Sequence, residues 1–164
     1  MRFASDKTSR ILDVGCNVGR HLDALQRLGY RHLSGVDVQT AAWEEMAQAF
    51  PELTVTAHRG TFQEQLPLLP SRGYDVVFTY GATVELVPLS FDICRELARL
   101  TNRWLIVAID ESHDRFPRDW RLAFQRRGLL VKEATVPIHC GSRQSLLVYE
   151  TRSCCFAQHK LRPC

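Results

Sequence analysis

The sequence has no long hydrophobic run. In its C-terminal half the longest uninterrupted apolar stretch is Trp104–Ile109, far shorter than the roughly 20 residues that a membrane-spanning helix needs. Residues 1–7 contain no apolar segment of the kind found in a secretory signal peptide. We therefore expect a cytoplasmic protein that makes no contact with a membrane.

The six cysteines include no Cys-x-x-Cys pair, the spacing typical of structural zinc sites. Three of them, Cys154, Cys155 and Cys164, lie close to the C-terminus. A chain of 164 residues buries enough apolar surface to fold without disulfides. We predict neither a disulfide framework nor a metal site.

Most of the chain lacks an excess of either charge. Lys and Arg total 21 and Asp and Glu total 18, but residues 151–164 hold three of the basic residues and no acid. Residues 1–150 therefore carry 18 charges of each sign, which gives little support for a nucleic-acid-binding surface. Because no Gly/Ser/Pro-rich linker divides them, they are predicted to form one domain. The basic, Cys-containing tail 151–164 is expected to lie outside the fold.

Short apolar runs alternate with longer segments of helical periodicity, the pattern of a doubly wound α/β fold. The predicted strands are 10–15, 32–38, 53–57, 74–79, 103–109, 129–136 and 145–150. The predicted helices are 19–28, 41–50, 91–100 and 118–127, and 58–73 is expected to be a loop with about one helical turn. Residues 137–143 are too few for a parallel crossover, so the last two strands are predicted to form an antiparallel hairpin.

Glycines mark the junction between the first strand and the first helix, in Asp13-Val14-Gly15-Cys16-Asn17-Val18-Gly19. Such a turn lets a ligand approach the backbone closely. The dinucleotide fingerprint GxGxxG matches only at Gly15, whereas the template acid-x-G-x-G-x-G matches at Asp13, Gly15 and Gly19 and departs only at Asn17. No GK[ST] follows, which excludes a Walker P-loop. Asp37 ends the second strand, where nucleotide sites place an acid for the ribose.

These motifs resemble those of the class I S-adenosylmethionine-dependent methyltransferases. The resemblance covers residues 9–150 and includes Gly35–Val38 and Tyr74–Val77. It implies a Rossmann-like, mostly parallel seven-stranded sheet of order 3-2-1-4-5-7-6 with a C-terminal antiparallel hairpin. It also implies methyl transfer as the activity and S-adenosyl-L-methionine as the cofactor.

The resemblance assigns roles by position. Gly15 and Gly19 would hold the methionine part of the cofactor, and Asp13 would help to hold its amino group. Asp37 would accept hydrogen bonds from both ribose hydroxyls, and Val38 would pack on the adenine. No Asp stands in the loop that usually contacts the adenine amino group, so Thr61, Gln63 or a backbone carbonyl would substitute there. The predicted cofactor-binding residues are Asp13, Gly15, Cys16, Asn17, Gly19, Asp37, Val38, Thr61, Phe62, Tyr80 and Gly81.

The sequence indicates less clearly which residues would contact the methyl acceptor. Ligands of doubly wound sheets bind at the carboxyl ends of the strands. Glu111 and His113, which follow the fifth strand, are the predicted catalytic residues. Further candidates at this edge are Tyr80, Gly81, Thr83, Glu85 and Asp110 and, in the hairpin turn, His139, Cys140 and Arg143.

The absence of two motifs narrows the range of possible methyl acceptors. The segment Thr79–Ala82 lacks the [DNS]-P-P-[YF] motif of methyltransferases that act on nucleobase amino groups, and no Pro-Cys pair of the cytosine C5 class is present there. We predict a small-molecule acceptor that is methylated at oxygen or nitrogen rather than carbon. Few residues precede the first strand to cover the acceptor, so a second copy or a protein partner could cover an open site. The alternative function is a non-catalytic subunit that binds the cofactor and serves a protein partner.

Overall fold

The computed structural model describes residues 6–81, 84–110, 115–135 and 144–151. The strands are β1 (Arg10–Val14), β2 (His32–Asp37), β3 (Thr56–Arg59), β4 (Tyr74–Tyr80), β5 (Thr101–Ile109), β6 (Leu129–Thr135) and β7 (Ser145–Thr151). The helices are α1 (Arg20–Arg27), α2 (Thr40–Ala49), α3 (Phe62–Gln65), α4 (Ile93–Leu100) and α5 (Trp120–Gln125), with 3₁₀ turns at Leu66–Leu68 and Val84–Leu86. No helix in these ranges is long and apolar enough to cross a membrane.

The seven strands form one sheet of order β3-β2-β1-β4-β5-β7-β6. The pairs from β3 to β5 are parallel, whereas β7 runs antiparallel to both β5 and β6. This confirms the predicted fold, strand order and hairpin. In the parallel part, Asp13 lies opposite Gly35 of β2 and Phe78 of β4, so the carboxyl ends of three strands meet at one edge.

Apolar side chains cover both faces of the sheet. On one face, the buried Leu97 of α4 and Phe124 of α5 belong to the same core as Leu105 of β5. On the other, Leu22 of α1 packs in a core with Ile11 of β1. The helices thus anchor the strands and leave their carboxyl ends to form a site.

The edge strand β3 begins three residues later than predicted. Leu53 donates its backbone N–H to the Phe50 carbonyl at 3.0 Å, and the Thr54 N–H donates to Gln26 Oε1 at 2.8 Å. These bonds hold the two residues in the turn after α2, so the ladder with β2 starts only at Thr56.

Most other boundaries shift by one or two residues; α5, for example, spans Trp120–Gln125 instead of 118–127. β5 starts at Thr101, directly after α4, rather than at Arg103. Thr151, the first residue of the predicted tail, ends β7 and donates its hydroxyl to the Asn102 carbonyl at 2.6 Å. Cys154, Cys155 and Cys164 lie outside the described residues.

The segment between β3 and β4 is held by Arg99 of α4. Its Nη1 donates to the Leu69 carbonyl and its Nη2 to the Leu66 carbonyl, each at 2.8 Å, and Glu96 pairs with the guanidinium at 2.7 Å. Arg99→Ala removes both donors and is expected to lower stability by about 1–3 kcal/mol, measured as the free energy of urea unfolding. The exposed Arg95 of the same helix is the control, because Arg95→Ala removes no such contact. Equal stability of the two variants would contradict the role of Arg99.

Candidate functional site

Two adjoining cavities lie at the carboxyl ends of β1, β2 and β4. The first has a volume of ≈ 580 Å³ and the second of ≈ 450 Å³, both in the range of small-molecule sites. Both are lined by Gly15, Asn17, Asp37, Gln39 and Gly81. The first cavity is also lined by Cys16, Val18, Arg20, His21, Glu45 and Tyr80. The second is also lined by Val38, Gly60, Thr61, Phe62, Gln63, Leu86, Val87 and Pro88.

The glycine-rich turn between β1 and α1 needs left-handed backbone at three positions. Gly15, Asn17 and Gly19 have φ of 84°, 47° and 75°, a region that glycine adopts freely and asparagine tolerates. The N–H groups of Gly15 and Cys16 donate to the Val36 carbonyl at 2.8 and 3.1 Å. The turn is therefore closed over the end of β2 by the protein's own hydrogen bonds.

Gly19 ends this turn as the N-cap of α1 and lines neither cavity. A Cβ built on Gly19 would lie 2.8 Å from atoms of the Met46 side chain on α2. Its missing side chain thus allows α1 to approach α2 closely. A second close contact lies at Cys16, whose Sγ would be 2.7 Å from a Cβ on Gly35. Burial raises the pKa of the Cys16 thiol, so it stays protonated rather than acting as a nucleophile.

Asp37 lies at the boundary of the two cavities and is buried. Its Oδ2 accepts the Asn17 backbone N–H at 2.8 Å, and its Oδ1 accepts the Gln39 N–H at 2.9 Å. A carboxylate has about four lone-pair positions, so each oxygen can accept one more donor from the cavity. Asp37 therefore both fastens the glycine-rich turn and offers acceptors to a ligand.

Asp13 is 1% exposed and lines neither cavity. Burial, reinforced by the charge of Asp37, raises the pKa of Asp13 well above its usual range. Its Oδ2 is buried without a hydrogen-bond partner in the described part of the chain, and His21 Nδ1 lies 3.9 Å from it. His21 is half-exposed in the wall of the first cavity, and burial lowers its pKa.

The loop after β3 forms the far wall of the second cavity. Thr61 is the N-cap of α3, and its hydroxyl donates to Glu64 Oε2 at 2.9 Å while accepting the Glu64 N–H at 3.3 Å. This capping box, which the sequence analysis missed although Thr-x-x-Glu is its signature, uses the proton and one of the two lone pairs of the Thr61 hydroxyl. Gln63 lines the same cavity with an amide that takes no part in the capping box.

The structure places the residues that were proposed to contact the methyl acceptor in different surroundings. Tyr80 ends β4 at the first cavity, with its ring edge-on to His21 at 5.3 Å between centroids. Glu85, in the 3₁₀ turn after β4, is 1% exposed, and its Oε1 accepts the N–H of Asp110, the residue after β5, at 2.7 Å. Glu85 lines neither cavity. Outside the described residues lie Thr83, Glu111, His113, His139, Cys140 and Arg143.

Sequence reasoning missed several residues of the cavity walls. Arg20 and His21, in the first turn of α1, and Glu45 of α2 line the first cavity, and residues 86–88 line the second. Polar residues directly after a glycine-rich turn are a signal that could have identified Arg20 and His21. Glu45 carries no such signal, because a glutamate on a helix is usually solvated.

A family model described as a methyltransferase domain matches residues 11–104, more than half of the chain. The matched region contains the whole glycine-rich turn and Asp37. No curated protein matches the chain in sequence.

Solved structures have the same fold. A TehB-like methyltransferase from Corynebacterium glutamicum superposes with a TM-score of 0.73 at 18% identity, over 90% of this chain and 83% of that one. The magnesium protoporphyrin IX methyltransferase of Synechocystis, which has S-adenosylmethionine bound, has a TM-score of 0.69 at 19% identity, over 88% and 70%. The Haloferax volcanii complex of a methyltransferase with the Trm112 activator has a TM-score of 0.71 at 16% identity, over 92% and 85%. At these identities the likeness is one of fold.

Proposed function

We propose that this chain, which belongs to the methyltransferase domain family, methylates a small-molecule acceptor at oxygen or nitrogen. The chain is a class I methyltransferase, and S-adenosyl-L-methionine is its cofactor. The observation that carries the proposal is Asp37, a buried carboxylate with spare acceptor positions where the two cavities meet.

The described residues fit the charges and hydroxyls of this cofactor. Asp13 has an unpartnered buried oxygen behind the first cavity, and Glu45 adds a second acid to its wall. Both suit a ligand that carries a cationic amino group. Arg20 in the same wall suits its carboxylate.

The second cavity suits the nucleoside part. We assign the ribose hydroxyls to Asp37 and the two faces of the adenine to Val38 and Phe62. Gln63 is the side chain we assign to the adenine amino group, since its amide takes no part in the capping box that holds the Thr61 hydroxyl. Gly15, Cys16, Asn17, Tyr80 and Gly81 complete the proposed contacts, and Gly19 keeps its role in the turn by allowing the close approach of α1 to Met46.

When bound, S-adenosylmethionine supplies a methyl group activated by a sulfonium. The contribution of the chain is then to hold the acceptor in line with that methyl group, and such positioning is worth on the order of 7–11 kcal/mol in model reactions. We keep Glu111 and His113 as the proposed catalytic residues, because they follow β5 in the sequence and β5 runs parallel to β4, at whose carboxyl end the first cavity lies.

Several features favour a small-molecule acceptor. Residues 1–150 balance in charge, and Thr79–Gly81 lacks the motif of nucleobase methyltransferases. The match to a methyltransferase family favours an enzyme over the alternative of a non-catalytic subunit. A second copy or partner protein that covers the acceptor side stays a prediction.

Calorimetric titration tests the cofactor assignment directly. We expect S-adenosylmethionine and S-adenosylhomocysteine to bind with 1:1 stoichiometry and NAD not to bind. Binding of NAD alone would contradict the proposal. Incubation with methyl-labelled cofactor and size-fractionated cell extract then tests the acceptor, and label found only in protein or nucleic acid would contradict a small molecule.

A further inference from the structure

His21, unlike Asp13, lines the first cavity. Asp13 is 1% exposed, whereas the His21 side chain is 52% exposed. Asp13 Oδ2, which has no hydrogen-bond partner among the described residues, lies 3.9 Å from His21 Nδ1. The buried carboxyl of Asp13 and the partly exposed imidazole of His21 are therefore neighbours, and of the two side chains only the imidazole lines the cavity.

The position of the carboxyl decides which ring nitrogen faces a ligand. A carboxylate beside Nδ1 favours the tautomer with a proton on that nitrogen, and the opposite nitrogen then carries a lone pair. The two ring nitrogens of an imidazole point in diverging directions, so Nε2 carries its lone pair away from a group that is bound at Nδ1. Phe78 and Tyr80 contact the ring edge-on, at centroid distances of 6.0 and 5.3 Å, and limit its rotation.

We propose that Nε2 of His21 accepts a hydrogen bond from the amino group of the cofactor and that Asp13 is the positioning residue that sets the His21 tautomer. The inference rests on the proposed function and deepens it. A distance of 3.9 Å exceeds a hydrogen bond, so Asp13 and His21 must approach by about 1 Å in the complex. The positive charge of a bound amino group favours the ionised form of Asp13 that this pairing requires.

The surrounding charges determine how the pair responds to pH. The groups around His21 are Asp13 of β1, Asp37 of β2, Tyr80 of β4, Glu45 of α2 and its neighbour Arg20. Burial lowers the pKa of His21, so the ring is neutral at and above neutral pH. Protonation on acidification removes the Nε2 lone pair and places a positive charge beside a cationic ligand. Affinity should therefore fall as the pH decreases.

The test uses S-adenosylhomocysteine and its analogue lacking the amino group, titrated calorimetrically at pH 8. We expect wild-type protein to bind S-adenosylhomocysteine about tenfold more tightly than the analogue, the value of one charge-assisted hydrogen bond. His21→Leu should lose this preference because its affinity for S-adenosylhomocysteine falls while that for the analogue stays. Asp13→Asn removes the charge but keeps an oxygen that can accept the Nδ1 proton, so it should reduce the preference less than His21→Leu does.

His58 provides the matched control. It lies on β3, lines neither cavity, and its pKa is also lowered by burial. His58→Leu should keep both the preference and the wild-type fall in affinity between pH 8 and pH 5.5, whereas His21→Leu should lose most of that fall. The inference is overturned if the His21→Leu variant still binds S-adenosylhomocysteine more tightly than the analogue that lacks the amino group. It is also overturned if the affinity of this variant falls between pH 8 and pH 5.5 as much as that of wild-type protein. Failure of wild-type protein to bind S-adenosylhomocysteine overturns the proposed function instead.

Discussion

Asp37→Ala is expected to weaken binding of S-adenosylmethionine by about 10–100-fold. Loss of one hydrogen bond from a neutral donor to a charged acceptor costs about 1.5–3 kcal/mol, which corresponds to that range of affinity. The variant also removes the carboxylate that accepts the Asn17 and Gln39 N–H groups, so the glycine-rich turn loses a hydrogen bond that holds it in place. We therefore expect a lower thermal midpoint together with the lost affinity, both measured on the same preparations.

Asp75 separates these two effects. Its carboxylate also accepts a backbone N–H, that of Arg10 at 2.9 Å, and an amide N–H from Asn102 at 2.9 Å, but it lies near the amino end of β4. Asp75→Ala should lower the thermal midpoint to a similar extent and leave cofactor affinity unchanged. Equal affinities of Asp37→Ala and wild-type protein would contradict the assignment of the ribose to Asp37.

Asp13→Asn is expected to stabilise the cofactor-free protein at pH 8. An unpaired buried charge costs more than an unpaired neutral polar group, for which the penalty is about 1–3 kcal/mol, and the burial that raises the pKa of Asp13 makes its charged form the costly one. Asparagine has nearly the same shape and no charge. The gain in unfolding free energy should be about 1–3 kcal/mol, several degrees in the thermal midpoint.

The gain should depend on pH in a defined direction. Below the ordinary pKa of 3.8 the carboxyl is protonated in both folded and unfolded chains, and the two proteins should differ little. As the pH rises above this value the unfolded chain releases the proton while the folded chain retains it, so wild-type stability falls. This loss continues until the pH exceeds the raised pKa in the folded protein.

Thermal unfolding between pH 4 and pH 8 checks this expectation. Asp23→Asn on α1 is the control, since Asp23 is paired with Arg27 at 2.8 Å and its replacement should not stabilise. A lower midpoint for Asp13→Asn at pH 8 would show that the ionised carboxylate stabilises the fold. Greater stability together with weaker cofactor binding would indicate that the burial of Asp13 serves function at a cost in stability.

The strands and the hairpin could be predicted because their signals are local, whereas the order of the sheet was predicted from the resemblance to class I methyltransferases. Apolar runs punctuated by glycine define β1, β2 and β4, and the short link 137–143 requires a hairpin. β3 was misplaced because it is an exposed edge strand with little apolar pattern. Its first paired residue depends on Gln26, a partner 28 residues from Thr54, and no local rule registers such a contact.

The sequence by itself determined that a glycine-rich turn and Asp37 stand at the ends of adjacent strands, since motif spacing and strand periodicity are properties of the chain. Only the tertiary structure decided which polar side chains face the cavities. Asp13 and Glu85 are buried by the packing of neighbouring strands and turns, whereas His21 and Glu45 reach the wall through the placement of α1 and α2. Whether a side chain is buried depends on the packing of elements that are far apart in the chain, and this packing cannot be read from the residue type.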